Sequence, residues 1–374
     1  MVDSLQTILT PNAGLGTFTV LTPANAAAVN DSIFLNQINA LNTPQIVQAQ
    51  NRVQSTLQRE LNQLGDEQIA LTDLQDEIDN ALKFINDGIS RATLIHTRLD
   101  AAIKTALQAN EGDANSFPAL AASFDSSVNS IIDTANTGPT PNLLSELPQS
   151  NLTFRLNTRG TTLTLSPKFL GTNYTVTEDV SGDVFVRVDS TKTFRETSAA
   201  DGTFTGNFGA IFGGIRMDSF DASTNAIGFT TSPSTAGAQS FTGTLSKTGL
   251  GVGNAFIYDN LESQAGRDRA IADLESAKIS VDQQLIRFKA ALAQAQLSAS
   301  RTSTRLNDLL VETETLTFSA SVEIQGIAAR AEGLNQLNVN LLQSQKAFRQ
   351  ELLNLIPVKG VIGKVNGLLL DLAI

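Results

Sequence analysis

Apolar residues recur every three or four positions along both flanks of the chain, and every second position through its middle. The clearest run reads Ile271, Leu274, Val281, Leu285, Phe288, Leu292, Ala295, Ala299, Leu306 and Leu309, with Lys278 and Thr302 polar on the same spacing. A repeat averaging 3.5 residues paints a stripe on a helix that has to be buried against another helix. A second stripe runs from Val53 through Leu57, Leu64, Leu71, Leu74, Ile78, Ala81, Ile85, Ala92, Ile95 and Leu99. Glu60, Glu67 and Gly88 fall in its register and are expected to weaken it, and Gly65 to interrupt the helix. Thr43-Pro44 predicts the start of this helix, an N-cap followed by proline at the first helical position. Residues 1–32, with Pro11, Gly14, Gly16 and Pro23, read as extended or irregular and ordered on assembly.

Glu111-Gly112-Asp113 marks the end of the long helix. A shorter one is predicted through Phe117, Leu120, Phe124, Val128, Ile131 and Ile132, ending before Thr137-Gly138-Pro139. The period then changes. Leu152–Leu156, Thr162–Leu165, Tyr174–Val176 and Val184–Val188 alternate apolar with polar or β-branched residues, which predicts antiparallel strands, with a hairpin turn at Ser181-Gly182-Asp183. Residues 199–255 carry more Gly, Ser and Thr and predict looser strands. Helix resumes from Leu261 to about Val311. A separate last helix is predicted over Ile324, Ile327, Ala331, Leu334, Leu341, Phe348, Leu352 and Leu355, with Pro357 ending it.

The expected fold is therefore α+β: a long antiparallel coiled-coil or helical bundle from both chain ends, with an antiparallel β domain inserted. The corresponding divisions are an N-terminal segment 1–45, a helical arm 46–138, the β domain 139–259, a second arm 260–356 and an apolar tail 357–374.

Charge narrows the partners. The net charge is −11, yet residues 151–259 hold nine acidic and eight basic residues, so the acidic excess sits on the flanks. Counterion release needs clustered Lys and Arg, which excludes nucleic acid as an expected partner. No Lys or Arg precedes Arg52, so a Sec-type signal is not expected and export would use a dedicated route. Val361–Ile374 spans 14 residues and includes Lys364, Asn366 and Asp371, too short and too polar for a membrane span.

Catalytic chemistry is sparse. With no Cys and a single His, disulfides and the usual zinc sites are excluded. His96 lies on the first long helix, where a packed or surface residue is the expected role. Gly249-Leu-Gly-Val-Gly253 lacks the strand before and the helix after that a dinucleotide loop requires, and predicts a turn. The acidic pairs Asp66-Glu67, Asp76-Glu77 and Glu178-Asp179 lack the alternation of a calcium loop and read as solvated faces. No catalytic, metal or cofactor site is expected.

Asn86-Asp87-Gly88-Ile89-Ser90 resembles the NDGIS segment that bacterial flagellins carry in their N-terminal helical region. The following order is also similar in kind: a helix to Asn110, a second helix, then a hairpin at 151–166. The SGxRIN…DDAAG stretch that precedes NDGIS in that family is absent from residues 46–85. The resemblance implies a subunit that polymerises outside the cell, with itself as main partner and an export chaperone and a cap protein as further ones. The residues expected at the subunit contact are Leu341, Phe348, Leu352, Leu355, Leu368, Leu369 and Leu370, with intramolecular packing the alternative role. A secreted coiled-coil stalk bearing a β head (a translocator, tip or adhesin-like protein), or a virion or phage-tail structural protein, stays open on the sequence.

Overall fold

In the computed structural model, the backbone is described for residues 23–139, 142–147, 150–232 and 237–355. Side chains at 23–39, 41–42, 206–209 and 352–355 are excepted. Two long helices, α1 (Pro23–Gln108) and α3 (Gln264–Leu355), enclose a short helix α2 (Phe117–Asn136) and nine strands in sequence. The two long helices pack on each other and the β region is inserted between them, an α+β architecture.

Three sequence expectations are corrected. The first helix begins at Pro23 rather than near Thr43-Pro44, and Pro44 lies inside it. Gly65 does not interrupt it. The predicted last two helices are one, because nothing between Val311 and Ile324 breaks the backbone pattern. Thr313, Thr315 and Thr317, poor helix formers, return their hydroxyls to the carbonyls one turn back.

The chain forms two compact units, Glu67–Asp308 and Met1–Asp66 with Leu309–Ile374. In the Glu67–Asp308 unit, α1 and α3 run antiparallel. Glu67 meets Arg305, His96 meets Asp282, Asp100 meets Lys278, and Asn110 meets Arg267. Leu74, Ile78, Ile85, Ile95, Leu99, Leu274, Val281 and Phe288 are buried between them, the stripes read from sequence. In the other unit, α3 buries Leu309, Ala320 and Leu342.

The strands form a two-stranded hairpin and a seven-stranded antiparallel sheet. The hairpin pairs β1 (Leu152–Arg155) with β2 (Thr162–Leu165). It lies on the helices: Arg155 donates to Glu77 of α1, Ser298 of α3 donates to the Leu156 carbonyl, and Phe154 contacts Phe84.

The larger sheet takes in β3 (Thr172–Glu178), β4 (Val184–Val188), β5 (Thr193–Thr197), β6 (Phe204–Ile211), β7 (Ile215–Asp221), β8 (Ala226–Thr231) and β9 (Gln239–Gly249). Their order across the sheet is β6-β5-β4-β3-β9-β8-β7. The edge strands β6 and β7 are consecutive in the chain, joined by Phe212–Gly214 alone. A three-residue link reaches only about 10 Å beyond the strand ends, so the sheet curls until its edges approach at that end. The rings record the curl: Phe194 of β5 lies 5.8 Å from Phe229 of β8, with three strands between them in the sheet. Phe185 lies 5.2 Å from Phe229 and Phe194 lies 5.5 Å from Phe256, so the concave face is filled by aromatic side chains.

The strands over 199–255 are continuous, with β9 running 11 residues, and the looser reading holds where the pairing shifts register, between Met217 and Ser219 of β7 and between Arg195 and Thr197 in the pairing of β5 with β6. Their glycines serve close approach. A Cβ on Gly243 would stand 2.3 Å from the Thr177 carbonyl oxygen of the neighbouring strand. Gly249 and Gly251, at φ +70° and +73°, form the expected turn after β9.

Candidate functional site

Buried polar side chains organise the Glu67–Asp308 unit. The first group centres on Arg187 of β4, whose side chain is 1% exposed. Its guanidinium donates to Asp189 at 2.5 Å, to Asn129 of α2 at 2.5 Å and to Asn254 at 2.6 Å. Tyr174 of β3 donates to the same Asn254 oxygen at 2.8 Å. The Asn254 amide donates in turn to Asp125 of α2, as does the backbone N–H of Ala255 at 2.7 Å. Each buried charge is thus supplied with several hydrogen bonds, the condition for tolerating it in a low-dielectric interior. Burial pushes the Asp125 carboxyl up from 3.8 to about 6, against the opposing effects of the Ala255 N–H, Asn254 and Arg187. Burial likewise holds the Tyr174 hydroxyl well above its ordinary range.

A second group joins the sheet to α3. Tyr258 donates to Asp273 at 2.7 Å and accepts from the Gly253 N–H at 3.0 Å, while Lys247 of β9 reaches Asp273 at 2.5 Å. A third fixes the end of α2. Arg91 of α1 donates to the Thr137 carbonyl at 2.7 Å and to Asn142 at 2.7 Å, so α1 supplies partners for carbonyls that the helix end leaves open.

The NDGIS-like segment sits in this framework. Gly88 is buried, and a Cβ there would stand 2.9 Å from the Phe288 ring, so the absence of a side chain seats Phe288 against α1. It completes the seam it was expected to weaken; Glu67 does too, through its pair with Arg305. Asp87 holds the Arg91 guanidinium at 2.8 Å, Ile89 is half-buried, and Asn86 and Ser90 are exposed. His96 bridges the helices, with its ring nitrogens 3.3 Å from Asp100 and 3.3 Å from Asp282.

Of the residues expected at subunit contacts, Leu341 is 51% and Phe348 64% exposed on α3. Leu352 and Leu355 belong to the last turn of that helix, with side chains outside the described set, and Leu368, Leu369 and Leu370 lie outside the described residues. Among the described residues, no group of three or more metal-binding side chains comes together, and no helix is long and apolar enough to cross a membrane. A concavity of about 580 Å³ against α2 includes Asp125, Asp133 and Lys192 in its lining, and Lys192 already pairs with Asp133.

The sequence matches no family model and no curated protein. Among solved structures it is similar to Xanthomonas campestris FlgL, at 14% identity and a TM-score of 0.31, over 68% of this chain and 98% of that one. It is also similar to flagellar hook-associated protein-3 from Legionella pneumophila, at 14% identity and a TM-score of 0.21, over 76% of this chain and 99% of that one.

Proposed function

We propose that this chain is a structural, non-enzymatic subunit that self-assembles into an extracellular, flagellin-like filament. Large apolar side chains left in solvent along one stretch of α3 carry the reading. Phe318 is 72% exposed, Val322 51%, Leu337 64%, Leu341 51% and Phe348 64%. A stable monomer rarely leaves so many large apolar groups on one helix, and burying each against a neighbour contributes about 1.5–3 kcal/mol before ordering costs. The helical arms 46–138 and 260–356 pack between subunits, with Leu341, Phe348, Leu352 and Leu355 of the second arm and Leu368, Leu369 and Leu370 of the tail 357–374 at the contact, and the β domain 139–259 faces outward. An export chaperone and a cap protein are the further partners of this reading.

Negative-stain microscopy of purified protein, with and without residues 1–40, tests it. Long uniform fibres from the full chain, lost on truncation, are the expected result. Soluble monomers under all salt and seeding conditions would overturn it in favour of a coiled-coil stalk with a β head.

A further inference from the structure

The chain is acidic overall, yet one groove of the Glu67–Asp308 unit is lined by three arginines. It measures about 530 Å³ and lies where the β1–β2 turn overhangs α1 and α3, with Arg159 from the turn and Arg301 and Arg305 from α3. Arg305 is engaged by Glu67. Arg159 and Arg301 are exposed, and neither guanidinium has a hydrogen-bond or ion-pair partner among the described residues. Between them the groove offers an apolar surface, Leu156 and Leu297, the latter 53% exposed. Two unengaged guanidinium groups around an apolar patch fit a ligand that presents carboxylates flanking an aliphatic side chain.

The same unit displays that combination on another face. Ile69, Asp73, Asp76 and Asn80 are exposed on α1, and Ile69 is 63% exposed. Asp76 has no hydrogen-bond or ion-pair partner among the described residues, and Asp73 interacts with the Arg155 guanidinium of the hairpin through charge alone, without a hydrogen bond. At 3.6 residues per turn, this stripe points roughly 160° away from Leu71 and Leu74, the α1 residues that line the arginine groove. The two faces therefore occupy one level of the helix and look in different directions.

We propose that the arginine groove receives the Ile69–Asp73–Asp76 face of a second copy of the chain. The proposal rests on the self-assembly reading and names the surfaces that meet. Contact between two different patches of one molecule is heterologous, so each added copy exposes a fresh groove and a fresh acidic face. Such contacts continue into a ring or a helical array rather than stopping at a dimer. Because the two patches share one level, neighbours lie side by side with little axial offset. Charge pairing of this kind sets register and partner choice, and it weakens with salt.

The test uses the full chain in three forms: wild type, Arg159→Glu/Arg301→Glu, and that variant with Asp73→Arg/Asp76→Arg added. Light scattering gives the critical concentration for assembly, and circular dichroism checks that each form melts as wild type does. The expected result is a rise of at least about tenfold in critical concentration for the arginine variant, with recovery to within about threefold when the aspartates are also reversed. Wild-type assembly matched by the arginine variant would overturn the groove while leaving self-assembly intact. Loss in the arginine variant without recovery in the four-site swap would overturn the α1 face as its occupant and leave another acidic face of the second copy to fill the groove. A wild-type chain that never assembles would remove the self-assembly reading and this inference with it.

Discussion

The Glu67–Asp308 unit and the α3 stretch of the other unit carry similar apolar spacing and bury it to different extents. In the first, Leu274, Val281 and Ala295 are fully buried and Phe288 is 2% exposed. In the second, Phe318, Leu337 and Phe348 are mostly exposed on the same helix. The first unit adds a third layer: α2, the hairpin and the curled sheet cover the helix pair, and polar side chains such as Arg91, Arg187 and Lys247 fix that layer in place. A heptad pattern thus specifies a face to be covered, and the rest of the fold determines whether the same chain covers it.

The largest expected effect sharpens this contrast at Arg187. Arg187→Ala leaves Asn129, Asn254 and Asp189 without their shared donor, and is expected to destabilise the Glu67–Asp308 unit by about 3–5 kcal/mol in urea melts. A melt within 1 kcal/mol of wild type would show that the network does not anchor the third layer.

Asp125 gives a pH dependence of about 2–3 kcal/mol. Its folded-state pKa, about 6, lies above the ordinary 3.8. The group's contribution to stability is therefore full below pH 3.8 and is lost as pH rises through about 6. Half-buried Glu67 and Glu77, held below their usual range by hydrogen bonds from Arg305 and Arg155, act in the opposite sense and weakly. Urea midpoints measured from pH 4 to pH 7 for wild type and Asp125→Asn isolate the effect: their difference is expected to change with pH, and a constant offset contradicts it.

Glycines compare the two regions directly. Gly88→Leu would force a side chain into the Phe288 ring and is expected to cost about 1–3 kcal/mol. At Gly326, where an added Cβ meets nothing within 4 Å, Gly326→Ala is expected to stabilise by about 0.5–1 kcal/mol. Thermal melts of both variants read the contrast, and a stabilising Gly88→Leu would break it. The smallest effect on stability belongs to Phe348→Ser, within about 0.5 kcal/mol, because the ring is already in solvent. The same substitution is expected to abolish fibres in negative stain, and fibres that persist would remove Phe348 from the subunit contact.

Local chemistry made much of this readable. The hairpin at 152–165, the end of α2 before Thr137-Gly138-Pro139 and the burial of Leu274, Val281, Phe288, Ala295 and Leu309 on the predicted seam follow from period, turn residues and breakers within a few positions of each site. Helix starts and joins were less legible. Pro44 reads as a first-turn residue but is carried inside α1, and the threonines after Val311 weaken a helix without ending it.

The sequence by itself determined which faces are apolar, where the period changes from helix to strand, and that thiolate chemistry is absent. Only the tertiary structure decided that Gly88 seats Phe288, that the sheet curls until Phe194 meets Phe229, and that Arg187 gathers Asn129, Asp189 and Asn254. The reason is separation: periodicity records a residue's relation to its own helix or strand. A buried charge or a missing side chain gains its meaning from partners scattered along the chain, which meet when the layers close.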